Sequence, residues 1–319
     1  MSKQIKPRKI RLEASSVCQL HCPVCPNSSN AIIPGVGKGF LPFRHFQKLL
    51  DENPWVKEVE LSNYGEIFLN PDLLEMMKYA HGKKIILTAD NGVNLNHART
   101  EVLVGLVKYK FRSMMISIDG TNNETYQQYR IGGNYEAVLD NIRKINDLKK
   151  HHQSRYPVLK WQFVVFGHNE NELFRAKKIA DQLNMSFRVK LSWDSNISPV
   201  KNKKLLTQET GAASREEYKA KYGVDYMQNI CHELWEQPQI NWNGKVLGCS
   251  RNFWGDFGGN AFSNTLVESI NNEKMNYARN MLTGLQAARG DIPCAYCDIY
   301  LHMAKSGSWL DRGIIRRLI

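Results

Sequence analysis

Three cysteines, Cys18, Cys22 and Cys25, stand in the stretch "CQLHCPVC" near the N-terminus, with the spacing C-x-x-x-C-x-x-C. Structural zinc sites take four protein ligands, commonly from paired C-x-x-C knuckles. Three soft thiolates on one short loop suit instead a 4Fe–4S cluster with one iron left open to a non-protein ligand. His21 lies inside this hook. With three thiolates already present, it is read as a packing residue rather than a ligand.

The other four cysteines come late: Cys231, Cys249, Cys294 and Cys297. None lies between Cys25 and Cys231. Structural cysteines scatter among core positions, so this segregation is itself a signal. A total of seven argues against a disulfide framework. Cys294 and Cys297 form a C-x-x-C, and Cys249 closes "INWNGKVLGC", which reads as a β-hairpin with an Asn-Gly turn. Four thiolates around a hairpin can hold zinc or a 4Fe–4S cluster, and spacing alone does not separate the two.

Elements must position these groups. Apolar strand patterns fall at 8–14, 57–62, 84–89, 113–118, 159–166 and 187–193. Amphipathic helical patterns fall at 43–51, 72–81, 98–109, 134–150 and 170–184. Asn169 and Glu172 read as a capping box opening the last of these. Six βα repeats imply parallel strands in an open barrel, with the site built on loops at the C-terminal strand ends. The expected organisation is an α/β barrel over 1–195 and a polar linker over 196–230 at the substrate entrance. A unit with the later cysteines over 231–304 and an amphipathic tail over 305–319 follow.

The 319-residue chain carries 43 Lys and Arg against 31 Asp and Glu, a formal charge of +12, and is 42% hydrophobic. A sizeable core is therefore available. Apolar runs such as "MMISI" at 114–118 are too short to span a bilayer. The N-terminus "MSKQIKPRKIRLE" lacks the apolar stretch of a secretory signal. A cytoplasmic protein with no membrane partner is expected. Basic clusters such as "DLKKHHQSR" come without a nucleic-acid-binding motif, so no DNA partner is expected.

Further motifs follow the cysteine hook in order. "LSNYGEIFLNPDL" (61–73) contains Gly65 and Glu66, and "TADNGVNL" (88–95) contains Asn91. "ISIDGTNNETYQQYRIGG" (116–133) contains Ser117, Asp119 and Arg130, and "QFVVFGHNENEL" spans 162–173. With the hook, these resemble the radical S-adenosylmethionine (radical SAM) superfamily. Val24 stands where an aromatic is frequent, and Tyr64 and Ile67 replace a glycine and a proline of the Gly-Gly-Glu-Pro segment. The later four cysteines resemble the SPASM/twitch extension, in its shorter, one-cluster form.

The resemblance implies a partial (β/α)6 TIM-like barrel followed by a small twitch subdomain of hairpin and helix. It implies a 4Fe–4S cluster on Cys18, Cys22 and Cys25, whose open iron binds S-adenosylmethionine. It also implies an auxiliary 4Fe–4S cluster on Cys231, Cys249, Cys294 and Cys297. Gly65, Glu66, Asn91, Ser117, Asp119 and Arg130 would meet S-adenosylmethionine. The reduced cluster would cleave it to methionine and a 5′-deoxyadenosyl radical, which takes a hydrogen atom from a substrate C–H bond. An acidic flavodoxin or ferredoxin-type donor would dock on the basic surface. Many peptide maturases of this kind carry an N-terminal recognition domain, and a hook beginning at Cys18 leaves no room for one. A small polyol or sugar-type metabolite, oxidised or epimerised, is therefore the expected substrate; a peptide or protein side chain is the alternative, and a non-enzymatic zinc-binding module the distant one. Lys190, Asp194 and Asn63, at strand ends, are the candidates to take the hydroxyl proton of a carbinol radical. Trp193 is read as a core residue.

Overall fold

The computed structural model describes residues 4–318. Its centre is an eight-stranded sheet in the order β6-β5-β4-β3-β2-β1-β7-β8. The first six are β1 (Lys9–Leu12), β2 (Glu58–Glu60), β3 (Ile86–Val93), β4 (Ser113–Ser117), β5 (Val158–Val164) and β6 (Ser186–Lys190). They pair in parallel and in chain order. This is an α/β fold built on a partial, TIM-like barrel of six parallel strands. β4, "SMMIS", is buried at every position, as a strand covered on both faces must be.

The helices that cross back over the sheet are α1 (Phe43–Glu52), α2 (Leu73–Gly82), α3 (Thr100–Lys108), α4 (Asn123–Tyr129), α5 (Tyr135–His151) and α6 (Leu173–Gln182). Each presents an apolar stripe inward. In α5, Tyr135, Val138, Leu139, Ile142 and Ile145 are buried, following the i, i+3, i+4 pattern. The Asn134 side chain caps its first turn by accepting from the Ala137 amide. Trp161 of β5 is fully buried, and its indole N–H donates to the Ile118 carbonyl at 2.7 Å.

The structure departs from the sequence reading in several places. α4 falls where no helical pattern was expected; Asn122 caps it and Tyr126 and Tyr129 fix it to the core. The strand expected over 84–89 runs on to Val93, with a register shift between Ala89 and Val93. The Asn169–Glu172 capping box does not form. Glu172 instead accepts from the Thr121 amide and the Asn122 and Thr125 side chains, tying β4's loop to the start of α6. The polar 196–230 segment holds two helices, α7 (Lys203–Thr210) and α8 (Arg215–Tyr222). Ser214 caps α8, and Gly211 and Gly223 end α7 and α8 in left-handed backbone.

Beyond α8 comes the short α9 (Glu233–Glu236), then the hairpin of β7 (Gln239–Ile240) and β8 (Val246–Gly248). The hairpin does not stand apart: β7 pairs with β1 in parallel, Leu12 opposite Ile240. The Asn-Gly turn forms as read. Gly244 takes φ +88°, where a Cβ would lie 2.5 Å from the Asn260 side chain. α10 (Leu266–Ile270), α11 (Glu273–Leu282), α12 (Asp298–Ser306) and α13 (Arg312–Leu318) complete the chain. In the tail, Leu310 and Ile315 are buried. Among the described residues, no helix is long and apolar enough to cross a membrane.

Candidate active site

A cavity of about 420 Å³ opens at the C-terminal ends of the parallel strands. Its wall includes Cys18, Cys22 and Cys25 from the loop after β1, Gly65 and Glu66 from the loop after β2, and Asn91 from the end of β3. Ser117 ends β4, Arg130 follows α4, and Lys190 ends β6; all three face the same space. Ten of the residues singled out in the sequence thus meet there, Asn63 being the tenth.

The cysteine loop is held as a set of turns. The Cys25 amide donates to the Cys22 carbonyl at 3.0 Å, and Asn27 donates to the carbonyls of Ser16 and Tyr64. Leu20, Cys22, Tyr129, Val164 and Phe166 pack into a small core beside it, with Val24 against them. His21 is exposed, so it is not the packing residue expected. Burial drives the Cys18 thiol up to about 12 and the Cys22 thiol above its usual range. The Arg130 guanidinium opposes this at Cys22, with Nη1 3.6 Å from Sγ.

Glu66 is buried and accepts from the Phe68 amide at 3.1 Å and the Asn94 amide at 2.6 Å. Burial raises its carboxyl to about 7 against those two bonds. Gly65 is required by close approach: a Cβ there would lie 2.3 Å from the Ser15 carbonyl oxygen. The Tyr64 and Gly65 amides donate to Glu13 Oε1 at 2.9 and 3.2 Å. Gln162 donates to Ser117 Oγ at 3.3 Å.

Three expected site residues stand differently. Asp119 is fully buried and does not line the cavity. Its Oδ2 accepts from Arg130 Nε at 2.6 Å and its Oδ1 from the Val164 amide at 2.6 Å, so it aims Arg130 and reaches nothing else. Asp194 faces a neighbouring pocket, and its Oδ1 accepts from the Asn196 amide. Asn63 lines the cavity with its amide already engaged. Oδ1 accepts from Asn91 at 2.6 Å, while Nδ2 donates to the Ser250 carbonyl at 3.1 Å and Gln239 at 3.3 Å.

The sequence reading missed others. Trp193 is not core: it is exposed on the cavity wall between the Arg215 guanidinium, 3.5 Å from its ring centroid, and that of Arg251, at 4.4 Å. Met227, Ile230, Ser250, Arg251 and Phe253 close the far side. Only the aromatic character of Trp193 and Phe253 hinted at this, since their place depends on folding of distant segments.

Cys231, Cys249, Cys294 and Cys297 line one further internal void. Ile230 and Arg251 wall both this void and the large cavity. Backbone amides of Arg251 and Asn252 point at Cys249, and those of Ile299 and Tyr300 at Cys297. Burial holds the Cys249 thiol up at about 12. None of the seven cysteines is joined in a disulfide. Among the described residues, no three His, Cys, Asp or Glu side chains converge closely enough to hold a single metal ion.

A parallel barrel with a three-cysteine loop, a buried glutamate and a basic side chain at one strand-end cavity defines a class, and residues 12–173 match the model of the Radical SAM superfamily. The chain belongs to that superfamily, whose members use S-adenosylmethionine and a 4Fe–4S cluster. A curated relative, the AdoMet-dependent heme synthase of Methanosarcina barkeri, is 29% identical over 140 residues. That match covers 43% of this chain and only 38% of the relative's length. Streptococcus suis SuiB bound to S-adenosylmethionine superposes with a TM-score of 0.64 at 14% identity, over 92% of this chain and 71% of that one. Native anSMEcpe with bound AdoMet gives 0.58 at 15% identity, over 93% and 88%. At such identities the two solved structures are alike in fold.

The residues present fit the family's cofactors. Three thiols share one cavity wall with a cation beside Cys22, a setting that stabilises thiolate against the burial that otherwise keeps the sulfur protonated.

Proposed function

We propose that this chain is a radical SAM enzyme with Cys18, Cys22 and Cys25 as the cluster ligands. The observation that carries this reading is that the three thiols face the same cavity as Glu66 and Arg130. The bound cofactors supply one-electron cleavage of S-adenosylmethionine to a 5′-deoxyadenosyl radical, which removes hydrogen from a substrate C–H bond. The protein's part is to hold, orient and exclude water. Glu66 and the 64–66 backbone would receive the methionine amino group, Arg130 its carboxylate, and Ser117 and Asn91 the nucleoside. Asp119 keeps Arg130 aimed.

Cys231, Cys249, Cys294 and Cys297 are proposed to hold an auxiliary 4Fe–4S cluster in a twitch-type unit spanning 231–304. Thiols spread around a void and faced by amide N–H groups suit a cluster better than one zinc ion. A flavodoxin or ferredoxin-type donor on the basic surface is the proposed electron source. The reaction proposed is oxidation or epimerisation of a small polyol or sugar-type metabolite, since polar Gln162, Lys190 and Ser192 line the same cavity beside the residues given to S-adenosylmethionine. A second reading, modification of a peptide side chain, draws on one feature: a second pocket adjoins the cavity across Leu191 and Ser192, so a chain longer than the cavity would have a further space beside it.

The test is anaerobic purification and reconstitution. A brown protein with about eight irons per chain is expected, forming 5′-deoxyadenosine from S-adenosylmethionine and a strong reductant. A colourless protein holding only zinc, with no 5′-deoxyadenosine, would overturn the proposal.

A further inference from the structure

Charged side chains in the large cavity are unequally partnered. Among the described residues on its wall, the cations are Arg130, Lys190 and Arg251, and the one carboxylate is Glu66. Arg130 is neutralised by Asp119 at 2.6 Å, and Arg251 by Asp298 at 2.8 Å. Glu66 is engaged by two backbone amides. Nearby Arg215 is spent on the carbonyls of Ser192 and Leu191 and on the Trp193 face. Of these cations Lys190 alone has no hydrogen bond or ion pair among the described residues, although it is half-buried; the charges that act on it are those of Arg215, Arg188 and Arg130, opposed by the weaker pull of Asp119, which is itself paired with Arg130.

A half-buried ammonium without a counter-ion is costly, and like charges around it add to the cost. Folding does not explain its presence, because an apolar side chain of equal size would sit there more favourably. Burial, reinforced by those arginines, brings its titration down to about 8, so at neutral pH it remains mostly charged. A cation so placed is well suited to attract an anion.

We infer that the substrate carries an anionic group, a carboxylate or a phosphate, and that Lys190 receives it at the end of the cavity formed by β6. The inference rests on the radical SAM reading only for the word substrate; the binding itself does not depend on it. Lys190 is thereby assigned to anion binding.

The experiment uses the full-length, S-adenosylmethionine-loaded holoenzyme with three probes at equal ionic strength: succinate, inorganic phosphate and neutral succinamide. By calorimetric titration, succinate or phosphate should bind the wild type at least about tenfold more tightly than succinamide. Succinate alone identifies a carboxylate seat, phosphate alone a phosphoryl seat, and both an anion seat shared by the two chemistries. In thermal unfolding, the effective anion should raise the midpoint of the wild type by about 2 °C or more beyond its effect on Lys190→Met or Lys190→Gln. Without anion, the Lys190→Met midpoint should equal or exceed that of the wild type, a result that a merely structural lysine would not give. Equal binding of succinate, phosphate and succinamide, or equal midpoint shifts in wild type and variants, would overturn the inference. If 5′-deoxyadenosine still forms in that case, the radical reading survives and the inference alone fails. If anions bind at Lys190 and no 5′-deoxyadenosine appears, the reverse holds.

Discussion

Arg130 and Asp119 form a buried ion pair at the mouth of the barrel, Nε to Oδ2 at 2.6 Å, and the same guanidinium reaches Cys22 Sγ at 3.6 Å. One carboxylate, itself pinned by the Val164 amide at 2.6 Å, therefore fixes the cation beside the cysteine loop. Asp119→Asn keeps the shape and removes the charge. Affinity for S-adenosylmethionine should fall about tenfold, while iron content stays near that of the wild type. Equilibrium binding and iron analysis on one reconstituted preparation check this. Asp119→Ala should in addition cost about 3–5 kcal/mol of stability, because it strands a buried guanidinium.

The two cysteine sets should separate in their effects. Cys18→Ala should remove about four irons per chain and abolish 5′-deoxyadenosine formation. Cys294→Ala should remove a similar amount of iron and leave reductive cleavage of S-adenosylmethionine detectable, since the first loop remains whole. Iron quantitation with product chromatography distinguishes the two outcomes. Loss of cleavage in Cys294→Ala at full first-cluster occupancy would contradict the division of labour.

Gly65 tests the glutamate loop. Its missing Cβ would lie 2.3 Å from the Ser15 oxygen and 2.7 Å from two backbone carbons, none of which can swing aside. Gly65→Ala should push the 63–66 loop off the cysteine loop and destabilise the fold by about 1–3 kcal/mol. Denaturant unfolding gives the stability, and S-adenosylmethionine binding should fall with it.

Glu13 provides a pH test. Burial lifts its carboxyl to about 8, far above the usual carboxylate range, against the bonds from Gly65 and Tyr64. The folded state thus favours the protonated form. The stabilisation linked to this group is complete below the unfolded carboxyl range and is lost as pH rises toward 8. Glu13→Gln, which cannot ionise, should flatten the fall in unfolding free energy between about pH 5 and 8, by about 2–4 kcal/mol. Chemical denaturation at several pH values measures it, and parallel curves for both proteins would refute it.

Much of the barrel is legible in the sequence. The six parallel strands lie within a few residues of their apolar patterns, and five of the six barrel helices carry a 3.6-residue stripe clear enough to read. α4 was missed because its seven residues hold one stripe position per turn, Tyr126 and Tyr129, and polar residues elsewhere. The two helices of the 196–230 segment were hidden for a related reason: they are mostly exposed, and Leu206 alone of α7 is buried. The hairpin turn was readable from Asn-Gly, but its docking on β1 was not. Backbone pairing such as Leu12 with Ile240 leaves no trace in local periodicity.

What the sequence by itself determined is the chemistry on offer: three thiols on one loop, four more near a hairpin, and the ordered motifs between them. These are local spacings, and a loop of eight residues brings its cysteines together whatever the rest of the chain does. Only the tertiary structure decided which polar residues face the cavity and in what state. Asp119 is withdrawn behind Arg130, Asp194 turns to another pocket, Asn63 is tied to Ser250, and Lys190 is left uncompensated. It also made Ile230 and Arg251 the common wall of the two cysteine-lined spaces. The reason is physical. A side chain's hydrogen-bond and charge partners here lie tens to hundreds of positions away, 187 between Asn63 and Ser250, and no sequence window contains both members of such a pair.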